Sequence, residues 1–182
     1  MSRVAKSIIN LPKDVECSIK NFKLEIKGPK GVLYRNYDAR VIILCENRNI
    51  KIFPVSNNDN KYGWSLAGTI RSLVYNMVYG VMYGYKIILE FFGVGYKVQW
   101  ANKDKSVSLF IGYSHPVTYN IPDNVSVKIL NNGTILNLYS IDKQLIGDVA
   151  SRIRHLKIPD AYKGKGIRYF GEVINLKESK KK

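Results

Sequence analysis

Two landmarks recur along the chain at a constant spacing of 84 residues: Gly28 maps onto Gly112, and Asn47-Arg48-Asn49 onto Asn131-Asn132-Gly133. A fixed offset between turn-forming residues marks an internal duplication. It divides the 182 residues into two halves, each small for a domain that must bury its own core. Each half therefore has to cover a sheet with very few other elements.

The local patterns agree with that plan. Phe22, Leu24 and Ile26 alternate with Lys23, Glu25 and Lys27, which predicts a half-buried strand ending at the turn Gly28-Pro29-Lys30-Gly31. The runs 41–45 and 50–53 flank Glu46-Asn47-Arg48-Asn49 and predict a hairpin. Trp64, Ala67, Ile70, Leu73, Val74, Met77 and Val78 then keep the three-and-four spacing of a helix, predicted to end near Gly80. In the second half Val107, Leu109 and Ile111 alternate ahead of Gly112-Tyr113-Ser114-His115-Pro116, and 125–130 with 135–139 make the second hairpin. Asp142 stands at an N-cap position before Leu145, Ile146, Val149, Ala150 and Ile153. The apolar stretch 87–98 is expected to supply the opening strands of the second domain, bent at Gly93 and Gly95.

The expected fold class is therefore α+β, with two duplicated domains. Each is a small antiparallel β-sheet packed against one α-helix. The N-terminal domain is expected over residues 1–82 and the C-terminal domain over 83–182, the latter carrying a basic tail from about 156 to 182.

Charge narrows the partner class. Lys plus Arg number 29 against 14 Asp plus Glu, a formal +15, which favours a polyanion, nucleic acid before an acidic membrane. Residues 152–182 hold ten basic and three acidic side chains, so positive charge concentrates at the C-terminal end. No apolar run is long enough to span a bilayer, and no secretory leader is expected from the charged start Met1-Ser2-Arg3-Val4-Ala5-Lys6. Cys17 and Cys45 have no partners at metal spacing and are expected to be reduced thiols in strands.

Within the basic end, Tyr162-Lys163-Gly164-Lys165-Gly166 is the most informative run. Lys163, Lys165 and Arg168 can reach phosphates. Gly164 and Gly166 allow close backbone approach, and Tyr162 and Tyr169 offer rings for an unpaired base. The plain alternative is a solvated basic loop. The run lacks the spacing of a nucleotide-triphosphate loop, and Gly93-Val94-Gly95-Tyr96-Lys97 lacks the third glycine of a dinucleotide fingerprint. With His115 in a turn, His155 at a helix end and scattered carboxylates, no catalytic set is visible. Asp14 and Glu16 are expected together on one surface strand, and Tyr75, Tyr79, Tyr83, Tyr85 and Tyr96 mainly in packing near the domain junction.

The stretch from Pro159 to Arg168 resembles the C-terminal signature of the bacterial-type large-subunit ribosomal protein number six family. The resemblance runs through 1–6, 26–31, Gly63-Trp64, Gly93-Val94-Gly95-Tyr96, Ser114-His115-Pro116-Val117, Asp142-Lys143-Gln144 and 178–182. It implies a non-enzymatic structural constituent of the large ribosomal subunit, without cofactor or metal, in a bacterial cytoplasm or an organelle encoding its own copy. Implied partners are large-subunit rRNA near the base of the lateral stalk, neighbouring ribosomal proteins there, and translation GTPases close by, with no membrane. By matching position it implies RNA contacts first at Tyr162, Lys163, Gly164, Lys165, Gly166 and Arg168, then at Lys97, Ser114 and His115, with Arg3 and Lys6 added. Arg152, Arg154, Lys157 and Tyr169 complete the candidate set. Family members often carry adjacent arginines just before the signature; here the stretch is Arg154-His155-Leu156-Lys157-Ile158, so a fork-like phosphate clamp is not expected there. The competing readings are a non-ribosomal RNA-binding or RNA-processing protein, including a nuclease or RNA-modifying enzyme, and a peripheral membrane protein held by its lysines.

Overall fold

The computed structural model describes residues 2–55, 60–101 and 105–178. Met1 and the lysines Lys180, Lys181 and Lys182 lie outside the described residues. The chain divides into two compact units, Met1–Gly84 and Tyr85–Lys182.

In the first unit a one-turn helix, α1 (Arg3–Lys6), precedes six strands: β1 (Ile9–Asn10), β2 (Glu16–Lys20), β3 (Lys23–Gly28), β4 (Gly31–Asn36), β5 (Val41–Glu46) and β6 (Asn49–Pro54). They form two three-stranded antiparallel sheets, β2-β3-β4 and β1-β6-β5. Helix α2 (Asn60–Tyr83) closes them. Its Ala67, Ile70, Val74, Met77, Val78 and Val81 are buried in one core with Leu24, Ile26, Val41, Ile50 and Ile52.

Several expectations change here. Helix α2 runs past Gly80 to Tyr83. It stops at Gly84, which takes φ +72 and donates its N–H to the Gly80 carbonyl at 2.8 Å. Asp14 lies in a turn, so Glu16 alone of that pair is on a strand. Tyr75, Tyr79 and Tyr83 are exposed along α2, whereas Tyr85 and Tyr96 are half-buried against the second core. The three-and-four spacing that buries Val74, Met77 and Val78 turns the interleaved tyrosines outward.

The second unit comprises β7 (Tyr85–Phe92), β8 (Lys97–Trp100), β9 (Ser106–Phe110), β10 (Val117–Asn120), β11 (Ser126–Leu130), β12 (Ile135–Ser140), α3 (Lys143–His155) and β13 (Gly166–Tyr169). Its sheets are β10-β9-β8 and β11-β12-β7-β13. The chain passes from one sheet to the other at Gly93 and Gly95, where φ is +156 and +78. Helix α3 buries Ile146, Val149, Ala150 and Ile153 against Leu89, Phe91, Leu136, Leu138 and Ile167.

The two hairpins equated by the offset are not identical. Asn47 and Arg48 form a two-residue turn with φ +49 and +63, and Glu46 pairs Asn49. In the second unit Leu130 pairs Ile135 across four residues, Asn131 to Thr134. The equated glycines differ as well. Gly28 has no room for a Cβ, which would stand 2.8 Å from Val81 Cγ2 of α2; Gly112 is needed for its φ of +82.

Candidate nucleic-acid interface

The candidate residues of the second unit are organised by the end of α3. Asp142 caps its start, accepting the Gln144 N–H at 2.8 Å, and Arg152, Arg154 and His155 occupy its last turn, where cations complement the helix dipole. They are not equally available. Arg152 pairs on the exposed surface with Asp148, one turn back, at 2.9 Å. Arg154 is only about a quarter exposed and forks onto Glu172, with Nε donating to Oε2 at 3.3 Å and Nη2 paired to the other oxygen. These hydrogen bonds hold the Glu172 carboxyl below the ordinary glutamate range. Glu172 Oε2 also accepts the Tyr169 N–H at 3.0 Å, and the Arg154 guanidinium lies 5.6 Å from the Tyr169 ring. Arg154 and Tyr169 thus brace the end of the unit.

The stretch expected as a tail is a closed loop leading into a strand. Ile167 N–H bonds the Lys157 carbonyl at 2.9 Å, and Asp160 N–H bonds the Lys165 carbonyl at 2.9 Å. Inside that frame Asp160 accepts twice: its carbonyl from Gly164 N–H at 2.9 Å and its carboxylate from Lys163 N–H at 3.1 Å. An aspartate after a proline, three residues before the amide it receives, is a turn-forming arrangement that sequence reasoning passed over. The C-terminal segment returns to the loop through Lys177 N–H and the Ala161 carbonyl, 2.8 Å apart.

The glycines consequently have a different purpose from the one expected. Both are buried. The Gly164 amide is taken by Asp160, so it does not face a phosphate. A Cβ on Gly166 would stand 2.5 Å from Pro159 Cα, at a φ of +151. The tip is the part that reaches solvent: Tyr162, Lys163 and Lys165 are exposed, and neither lysine side chain makes an ion pair or hydrogen bond among the described residues. Such ammonium groups are free to meet phosphates.

Arg168 is on β13, opposite Glu90 of β7, half-buried, with its guanidinium 3.2 Å from the Phe92 ring centroid. Phe92 was not among the expected residues; only the strand register reveals it, because it pairs Gly166. The bend between β9 and β10 joins the same region. Tyr113 donates its hydroxyl to the Leu156 carbonyl at 3.0 Å, and Lys157 Nζ sits 4.9 Å from the Tyr113 ring centroid, which carries exposed Ser114 and His115 to the end of α3. Lys97 is half-buried on β8 with its ammonium 5.2 Å from the Phe110 ring centroid. Arg3 and Lys6 belong to the first unit, exposed on α1, with Lys6 Nζ 5.7 Å from the Trp64 ring centroid.

Among the described residues no three His, Cys, Asp or Glu side chains are grouped to hold a metal, and no helix is long and apolar enough to cross a membrane. Cys17 and Cys45 are free thiols, and burial pushes the Cys17 thiol up to about 12.

Comparison with known proteins matches the pattern of two units. The family model described as "Ribosomal protein L6" matches residues 11–84 and again 92–170. The chain is 46% identical to the large ribosomal subunit protein uL6 of Legionella pneumophila (strain Corby) over 184 residues, covering 100% of both. It is 43% identical to the uL6 of Alcanivorax borkumensis and 42% to that of Shewanella denitrificans, each over 182 residues and 100% of both chains. With a duplicated fold, two family matches and full-length identity of this degree, the chain belongs to the ribosomal protein L6 family, a family of structural, non-enzymatic components of the ribosome.

Proposed function

We propose that this protein is a structural constituent of the large ribosomal subunit that binds large-subunit rRNA mainly through its second unit. Its site is near the base of the lateral stalk, beside neighbouring ribosomal proteins and within reach of the region that translation GTPases contact. The observation that carries the reading is the exposed tip Tyr162-Lys163-Lys165, whose lysine side chains have no acidic partners among the described residues, fixed by Asp160 to a strand built into the sheet. A rigid frame presents the cations without the ordering cost of a flexible tail. Arg168 and Lys157 extend the surface, and the bend with Ser114 and His115 borders it.

The test is titration of the full chain against a fragment of large-subunit rRNA across salt, with unrelated RNA of equal length as competitor. Lys163→Ala with Lys165→Ala is expected to flatten the salt dependence by about 1.5 units, at roughly 0.7–0.9 per phosphate contact. An unchanged slope would remove both lysines from the interface. Equal affinity for the two RNAs would overturn the ribosomal site. Ending the chain at Ile158 is no substitute, since it deletes Ile167 from the core.

A further inference from the structure

The four-stranded sheet β11-β12-β7-β13 has its core on one side only. Leu89, Phe91, Leu136, Leu138 and Ile167 point toward α3. Because side chains alternate along a strand, the register places their neighbours on the opposite face. Tyr139 lies across from Lys86, Asn137 between Lys128 and Ile88, and Glu90 beside Arg168. None of the side chains on this face belongs to the apolar core; Lys86, Phe92 and Lys128 are exposed on it, and Asn137 in its middle is buried.

Two observations point to an occupant. The first is charge: three cations, Lys86, Lys128 and Arg168, against the single carboxylate of Glu90. The second is polar satisfaction. Among the described residues, the buried side-chain atoms that lack any hydrogen-bond partner are Asn137 Oδ1 and Arg168 Nε, and both belong to this face. Buried polar atoms without partners are uncommon in folded proteins and call for an explanation. The corresponding face of β1-β6-β5 in the first unit instead carries Ile42, Leu44 and Phe53 around Lys51, so the arrangement does not follow from the shared fold.

We propose that this open sheet face is an RNA platform, taking an unpaired segment laid along β7. The inference rests on the ribosomal reading above and extends its surface beyond the loop tip. At one end a base stacks on Tyr139, whose ring already has the Lys86 ammonium 5.7 Å from its centroid. At the other end a base stacks on the outer plane of the Arg168 guanidinium, which Phe92 supports from below. From Lys86 to Phe92 is six residue steps along β7, about 20 Å at strand rise, room for several nucleotides. Lys86 and Lys128 meet phosphates, and buried Asn137, whose amide nitrogen donates to the Tyr139 hydroxyl at 3.4 Å, holds that ring in place. Aromatic and guanidinium planes on an open antiparallel sheet suit unpaired bases, which offer a π-face whatever their sequence.

The experiment uses the full chain with the same rRNA fragment. Ultraviolet crosslinking of the unmodified protein, mapped by mass spectrometry, is expected to join nucleotides to Tyr139 or Phe92. Tyr139→Leu is expected to weaken binding about 5- to 100-fold, while Tyr139→Phe, which keeps the ring, stays near the parent. Lys86→Gln with Lys128→Gln is expected to lower the salt slope as the tip variant does. No crosslink on the face, with Tyr139→Leu binding like the parent while the Lys163/Lys165 variant is weakened, would overturn this platform and leave the ribosomal reading standing. Failure of the parent to prefer rRNA would overturn both.

Discussion

The two units share a frame and part company at the end of their helices. In the first, α2 runs 24 residues and hands the chain at Gly84 directly to β7. In the second, α3 stops after 13 residues, and the chain makes the Asp160-centred loop and returns as β13, a fourth strand with no counterpart in the β1-β6-β5 sheet. That addition presents Lys163 and Lys165 and brings Arg168 to the open face. Duplication thus supplied the scaffold twice, while the loop tip and Arg168 came from the segment beyond the second unit's helix. The difference shows how a small domain gains a binding surface without altering its core: a strand is added at a sheet edge, where unpaired backbone groups are waiting.

If β13 is the distinguishing element, damage to it should fall on one unit. Gly166→Val is expected to have the largest effect, about 3 kcal/mol or more, because the new side chain meets Pro159 backbone at a φ that valine disfavours. Denaturant unfolding should show the second unit's transition moving to lower concentration with the first unit's in place. Equal shifts of both would mean the units do not stand apart energetically.

A smaller effect, about 1–2 kcal/mol, is expected from Glu172→Gln, which breaks the Arg154 fork and weakens the bond to Tyr169 N–H. The direction of the shift sets the sign with pH. A carboxyl held low in the folded state stabilises fully above its unfolded value, about 4.3 for glutamate, and ceases to do so as pH falls through the depressed folded value. Stability curves of the parent and Glu172→Gln should therefore converge in acid. Curves that stay parallel down to pH 2 would show that the ionised pair contributes nothing to the second unit.

The smallest effect belongs to Asp148→Asn, within about 0.5 kcal/mol, since the Arg152 pair is exposed and spans a single helical turn. Set beside Glu172→Gln, it separates a surface ion pair from one that fastens β13 and its adjoining turn to α3. A loss at Asp148 as large as at Glu172 would erase that distinction.

Much of this molecule was legible in its residues. Alternation marked β3 and β9, the three-and-four spacing marked α2 and α3, and Asp142 marked the start of α3, because these patterns arise from local geometry that a few neighbouring residues dictate. The recurrence of turns marked the duplication, and the run from Tyr162 to Gly166 marked the basic tip.

The use of those residues depended on the tertiary structure. Gly164 and Gly166 have the composition of a phosphate cradle, yet one is closed by Asp160 and the other lies against Pro159. Arg154 and Lys163 are both cations in one basic stretch. A glutamate 18 residues away neutralises the first and nothing among the described residues pairs the second. Phe92, 76 positions before Arg168, became its support only through the pairing of β7 with β13. The physical reason is common to all three. Secondary structure is written in spacings of two to four residues, whereas the availability of a charge, an amide or a ring depends on groups that long-range pairing brings within a few ångströms, and no local pattern records those partners.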